Sequence, residues 1–114
     1  MDAEIPPERV QELRDGDETV EVVDIRSPTA FRRGHVPGSR NVPFPKLAEA
    51  APDLADADHV VTVCPHGKSS VRAARLVASH EAVGAAVYSM AGGLEAWEGE
   101  LDRENTDGTP DAPF

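Results

Sequence analysis

Cys64, the only cysteine of the chain, closes the run Val60-Val61-Thr62-Val63 and is followed by Pro65, His66, Gly67, Lys68, Ser69 and Ser70. A thiol at a strand-to-helix junction faces the unpaired N–H groups that open a helix and the positive end of its dipole. Its thiolate is favoured there, whereas a free cysteine titrates near about 8.5. Pro65 cannot donate, but His66, Gly67, Lys68, Ser69 and Ser70 each bring a backbone N–H. A positive φ at Gly67 would let several of these converge on one point. Lys68 adds a full charge and the two serines add hydroxyls, so the expected site is a nucleophilic Cys64 in an anion cradle built by residues 65–70.

A nucleophilic sulfur beside bound negative charge suits two reactions: attack on a sulfane sulfur to give a persulfide, or attack on a phosphate ester to give a phosphocysteine. Phosphotyrosine-type phosphatases carry an arginine after the cysteine and five further residues, because a guanidinium forks onto the phosphate oxygens. Ser70 occupies that position here. Arg72, two residues on and inside an expected helix, should point away from the loop's centre, and no second cysteine is present to resolve an oxidised intermediate. Phosphatase or arsenate reductase chemistry is thus the weaker reading.

The elements that must position this loop follow from local pattern. Pro7 to Arg14 reads as a short helix stopped at Asp15-Gly16, and Val20 to Ile25 as a strand rich in β-branched residues. Ser27-Pro28 caps a short helix over residues 29–33 that Gly34 ends. Residues 34–45 hold turns and short strand, and Lys46 to Ala51 a further short helix. His59 to Val63 is a continuous apolar run of the kind buried on both faces of a sheet. Ser69 to Ser79 is a helix with Val71, Ala74 and Ala78 along its packed side. Gly84 to Tyr88 makes a strand and Leu94 to Glu98 a final helix. Strands alternating with helices imply parallel βαβ units, an α/β layered fold, and a ligand site beyond the carboxyl ends of the strands, where Cys64 lies.

With 114 residues the chain is sized for one domain, expected over 1–101, with a polar, flexible tail over 102–114. Its 21 acidic and 11 basic residues give a net charge of −10, which disfavours nucleic acid and anionic membrane as partners. Lys46 and Lys68 are the only lysines, and acid excess with lysine depletion reads as adaptation to the high salt of a halophile's cytoplasm. The start has neither the basic region nor the apolar stretch of a signal peptide, and a single cysteine excludes an internal disulfide. His59 and His80 lack metal-ligand spacing, so neither metal nor other cofactor is expected.

Two groups of motifs, in order and at matching spacing, resemble the rhodanese-like domain family. Val22-Val23-Asp24-Ile25-Arg26 and Phe31-Arg32-Arg33-Gly34-His35-Val36-Pro37-Gly38-Ser39-Arg40-Asn41-Val42-Pro43 are similar to its VDxR and EFxxGHIPGAxNIP signatures. Val63-Cys64-Pro65-His66-Gly67-Lys68-Ser69-Ser70, Ala73-Ala74 and Ala91-Gly92-Gly93-Leu94-Glu95-Ala96-Trp97 are similar to VCxxGxRSxxAAxxL and GGxxxW. Ala30 departs from the acidic residue usual there. The resemblance implies a three-layer fold with a mostly parallel five-stranded sheet flanked by helices. It also implies a sulfurtransferase, of the single-domain thiosulfate sulfurtransferase type, that cycles between free Cys64 and its persulfide.

On this reading Cys64 takes sulfur from a small sulfur-containing anion such as thiosulfate. It passes the sulfur to cyanide in the laboratory, and to a thiol, thioredoxin or a sulfur-carrier protein in the cell. Asp24 and Arg26 are expected as a supporting ion pair near the loop, and His66 as a substrate contact or an exposed loop residue. The rival of another class is a docking or regulatory module that uses the fold without turnover, or a relay that only carries sulfur between partners. Modules of that kind often lack the cysteine, which this chain retains.

Overall fold

The β-branched run Val20–Asp24 (β2) and the apolar run His59–Val63 (β4) pair in parallel at the centre of the sheet, from Val20 opposite His59 to Asp24 opposite Val63. The computed structural model describes residues 4–103. Around this pair lie β1 (Glu4–Ile5), β3 (Arg40–Asn41) and β5 (Ala86–Met90), giving a five-stranded sheet in the order β1-β5-β4-β2-β3 with every neighbouring pair parallel. The helices are α1 (Pro7–Arg14), α2 (Pro28–Arg33), α3 (Leu47–Ala50) and α4 (Ser69–Ser79).

Because side chains alternate along a strand, the continuous apolar runs feed two cores. Val23, Val60, Cys64 and Val87 join Leu47, Leu54, Ala73, Ala74 and Val77 on the face covered by α3 and α4. Val22, Val61, Val63 and Met90 join Val10 of α1 on the other, with Leu94 and Trp97 packed against them. Each fully buried Val or Leu contributes about 1.5–3 kcal/mol relative to exposure. Cys64 shares parity with Val60, which puts its side chain on the α4 side of the sheet.

Ser27 caps α2 by accepting from the Ala30 amide, and α4 spans the residues expected of it. Its packed stripe differs: Ser70, Ala73, Ala74 and Val77 are buried, not Val71 and Ala78. In an alanine-rich helix two stripes fit the same period, and the hydrogen bond from Thr62 Oγ1 to the Ser70 carbonyl (2.7 Å) selects this rotation. The expected helix over 46–51 is α3 flanked by 3₁₀ turns at Phe44–Lys46 and Ala51–Leu54, since Pro45 and Pro52 interrupt the α-helical ladder.

β5 begins two residues later than expected, at Ala86, whose amide bonds the Asp58 carbonyl. Residues 94–98 make only a 3₁₀ turn, Leu94–Ala96, because the Leu94 and Glu95 amides bond the Cys64 and Pro65 carbonyls. β1 was not expected: two residues carry no periodicity, and their pairing with Ser89 and Met90 is non-local. Asp102, placed in the tail by composition, exchanges backbone hydrogen bonds with His35. The remainder of the expected tail beyond 103 lies outside the described residues. Among the described residues no helix is long and apolar enough to cross a membrane.

Candidate active site

Helix α4 lacks an ordinary cap, for its N-cap residue is Lys68, whose ammonium cannot accept a hydrogen bond. Cys64 supplies the acceptor. Its Sγ receives the Ser70 amide at 3.3 Å and the Gly67 amide at 3.0 Å, and lies 3.3 Å from Ser70 Oγ. Gly67 takes φ +90, the conformation that turns its N–H back onto the sulfur. Cys64 is a free cysteine with only 2% of its surface exposed. Burial pushes its thiol up, but the Ser70 hydroxyl and the Ser70, Gly67 and His66 amides together outweigh that and hold it below the ordinary cysteine value.

Ser70 Oγ is in turn 2.6 Å from Ser89 Oγ on β5, and both serines are buried. With Ser89 donating to Ser70, the Ser70 proton is directed at the sulfur. Ser89 had no motif to mark it; its one signal was a hydroxyl in an otherwise apolar strand. Hydrogen bonds to charged groups contribute about 1.5–3 kcal/mol. Ser70→Ala is therefore expected to slow alkylation of Cys64 by iodoacetamide about tenfold at neutral pH. Its rate-against-pH curve should move to higher pH, since the thiolate is the reactive form and has lost a donor. An unmoved curve would show that the amides alone set the thiolate.

The loop is pinned from behind by Gly92 and Gly93, with φ +76 and +67. A Cβ on Gly67 would meet the Gly92 nitrogen at 2.8 Å, and one on Gly93 would strike the Cys64 carbonyl oxygen and the Gly67 and His66 nitrogens. Leu94 and Glu95 donate to the Cys64 and Pro65 carbonyls at 2.7 and 3.1 Å. The glycine pair thus exists for close approach of two backbones.

A cavity of about 510 Å³ opens over Cys64. Ile25, Ala30, Phe44 and Pro65 form its apolar wall, while Arg26, Ser69 and Arg72 bring polar groups. Gly67 and Ser70 contact the sulfur without lining this space, His66 reaches it only through its backbone amide, and the Lys68 side chain is absent from the lining. His66 is exposed, its ring 3.3 Å from Glu95. Arg72 does line the cavity, contrary to the expectation that it points away. Side chains lean toward the N-terminus of their helix, and Arg72 stands one turn after Ser69 on the same side.

Asp24, 1% exposed, holds Arg26 through a fork: Nε to Oδ1 at 2.9 Å and a terminal nitrogen to Oδ2 at 2.7 Å. That nitrogen also donates to the Gly34 carbonyl at 2.7 Å, tying the end of β2 to the segment after α2. Breaking a buried pair from one side costs about 3–5 kcal/mol. Asp24→Ala is expected to lower the urea midpoint by a corresponding amount, and a loss under about 1 kcal/mol would remove the pair from the supports of this cavity wall.

The model of the Rhodanese-like domain matches residues 6–100. The chain belongs to the rhodanese-like domain family. It is 41% identical over 106 residues to the thiosulfate sulfurtransferase GlpE of Pseudomonas aeruginosa, covering 91% of each chain. With the protein of the same name from Pseudomonas fluorescens it shares 38% over 109 residues, 94% of each. The crystal structure of a rhodanese-related protein from Thermoplasma volcanium superposes with a TM-score of 0.76 at 23% identity, covering 90% of this chain and 99% of that one. A rhodanese-like domain from Anabaena, solved by NMR, gives 0.76 at 20% identity over 100% and 89%. These two establish the fold, and the rhodanese-like α/β sheet expected from the sequence is the one observed.

Proposed function

We propose that this protein is a sulfurtransferase that moves a sulfane sulfur from an anionic donor such as thiosulfate to a thiophilic acceptor through a persulfide on Cys64. One observation carries the reading: a buried sulfur facing a cavity, with two backbone amides donating to it and the Ser70 hydroxyl 3.3 Å away. The Cys64 thiolate attacks the outer sulfur of thiosulfate; the new S–S bond forms as the old one breaks, and its electron pair leaves with sulfite. An acceptor nucleophile then takes the outer sulfur and the pair returns to Cys64 as thiolate. The loop donors that hold the first negative charge stand ready for the persulfide anion.

Thioredoxin or a sulfur-carrier protein is the acceptor we favour, because a persulfide at the floor of an open cavity suits delivery to another thiol. A reactive free thiol needs a reducing compartment, which supports the cytoplasm. The net charge of −10 with only two lysines supports work at high salt. The decisive experiment incubates the protein with thiosulfate in high salt and follows intact mass, then adds cyanide and follows thiocyanate. Gain of one sulfur atom, discharged by cyanide, is expected; no gain and no thiocyanate would leave a docking module.

A further inference from the structure

We propose that Arg72, and not Lys68, receives the negatively charged end of the sulfur donor. The inference rests on Cys64 being the sulfur-accepting thiol. A thiolate attacking an anion brings like charges together in a protein that is itself strongly acidic, so a cation over the sulfur is needed both for approach and for departure of the anionic leaving group.

Among the described residues, two cationic side chains line the cavity with Cys64, those of Arg26 and Arg72. Arg26 is already neutralised, its Nε and one terminal nitrogen spent on Asp24 and that nitrogen shared with the Gly34 carbonyl. Arg72 has no carboxylate or carbonyl partner among the described residues. Its guanidinium carbon lies over the Phe44 ring, 5.8 Å from the centroid, so the aromatic face holds the group at the cavity wall. A contact with an aromatic ring uses no hydrogen-bond acceptor, so the N–H donors of the guanidinium stay available for an oxyanion. Among the described residues that line the cavity, Lys68 has no place.

The test compares alkylation of Cys64 by iodoacetate, an anion, with alkylation by neutral iodoacetamide at matched pH and ionic strength. Both need only the thiolate, so their ratio reports the cation rather than the sulfur. Arg72→Gln is expected to lower the iodoacetate rate about tenfold, as loss of a charged hydrogen bond implies, while the iodoacetamide rate holds. Arg72→Lys should recover much of the loss, and kcat/KM for thiosulfate should follow the iodoacetate rate across the series. Equal slowing of both reagents, no change in either, or a loss that follows Lys68→Gln instead would overturn the assignment. A normal ratio effect in a protein that never forms a persulfide would leave Arg72 as an anion site and sink the sulfurtransferase reading alone.

Discussion

Cys64→Ser is expected to end both half-reactions, with no sulfur gained from thiosulfate and thiocyanate formation reduced roughly a thousandfold or more. The hydroxyl is nearly the size of the thiol and can still accept the Gly67 and Ser70 amides, so the cap of α4 and the loop survive. What is lost is the nucleophile. A serine hydroxyl stays protonated at neutral pH, and the neighbouring donors that lower Cys64 cannot bring it into range. Since Cys64 is the sole cysteine, no other thiol can stand in. Unchanged circular dichroism with abolished mass gain is the anticipated pair of results. A variant that still gains sulfur would locate the chemistry elsewhere.

Gly93→Ala should be nearly as damaging, for a different reason. Gly93 sits at φ 67, ψ −165, a region open essentially to glycine alone. The conformational cost of a side chain there is of order 1–3 kcal/mol. Collision adds to it, because the new Cβ would be 2.5 Å from the Gly67 nitrogen and 2.6 Å from the His66 nitrogen, with the Cys64 carbonyl oxygen nearer still. Backbone cannot swing aside as a flexible side chain does. The loop must move as a unit, withdrawing the Gly67 amide from the sulfur. A folded variant should therefore show a fall in kcat/KM of roughly a hundredfold and a slower iodoacetamide reaction at neutral pH. Gly84→Ala, with nothing within 4 Å of its Cβ, is the matched control for a glycine replaced without collision. Equal, small effects of the two would mean that the close approach of the backbones is not what shapes the cradle.

Features that depend on neighbours in the chain were legible from sequence. The β-branched runs of β2 and β4, the Ser27 cap, the limits of α4 and the placing of Cys64 between a strand and a helix all follow from residues a few positions apart. So did the positive φ at Gly67, because a turn that aims several amides at one atom requires it. The α/β class followed in the same way, and ordered motifs narrowed it to one family.

What the residues alone did not settle was which groups face the sulfur from outside its own loop. Lys68 was the obvious cation by adjacency, yet the loop's path keeps it out of the cavity lining, whereas Arg72 enters once Thr62 fixes the rotation of α4. Ser89 reaches Ser70 only because β5 lies beside β4, and Gly93 meets residues 64–67 only because the chain returns there after β5. Local stereochemistry marked Cys64 as the candidate nucleophile and determined the elements carrying it. The donors that touch the sulfur come from its own loop, but Ser89 behind Ser70, the Gly93 backbone against residues 64–67 and the facing of Arg72 are decided by sheet order and helix rotation.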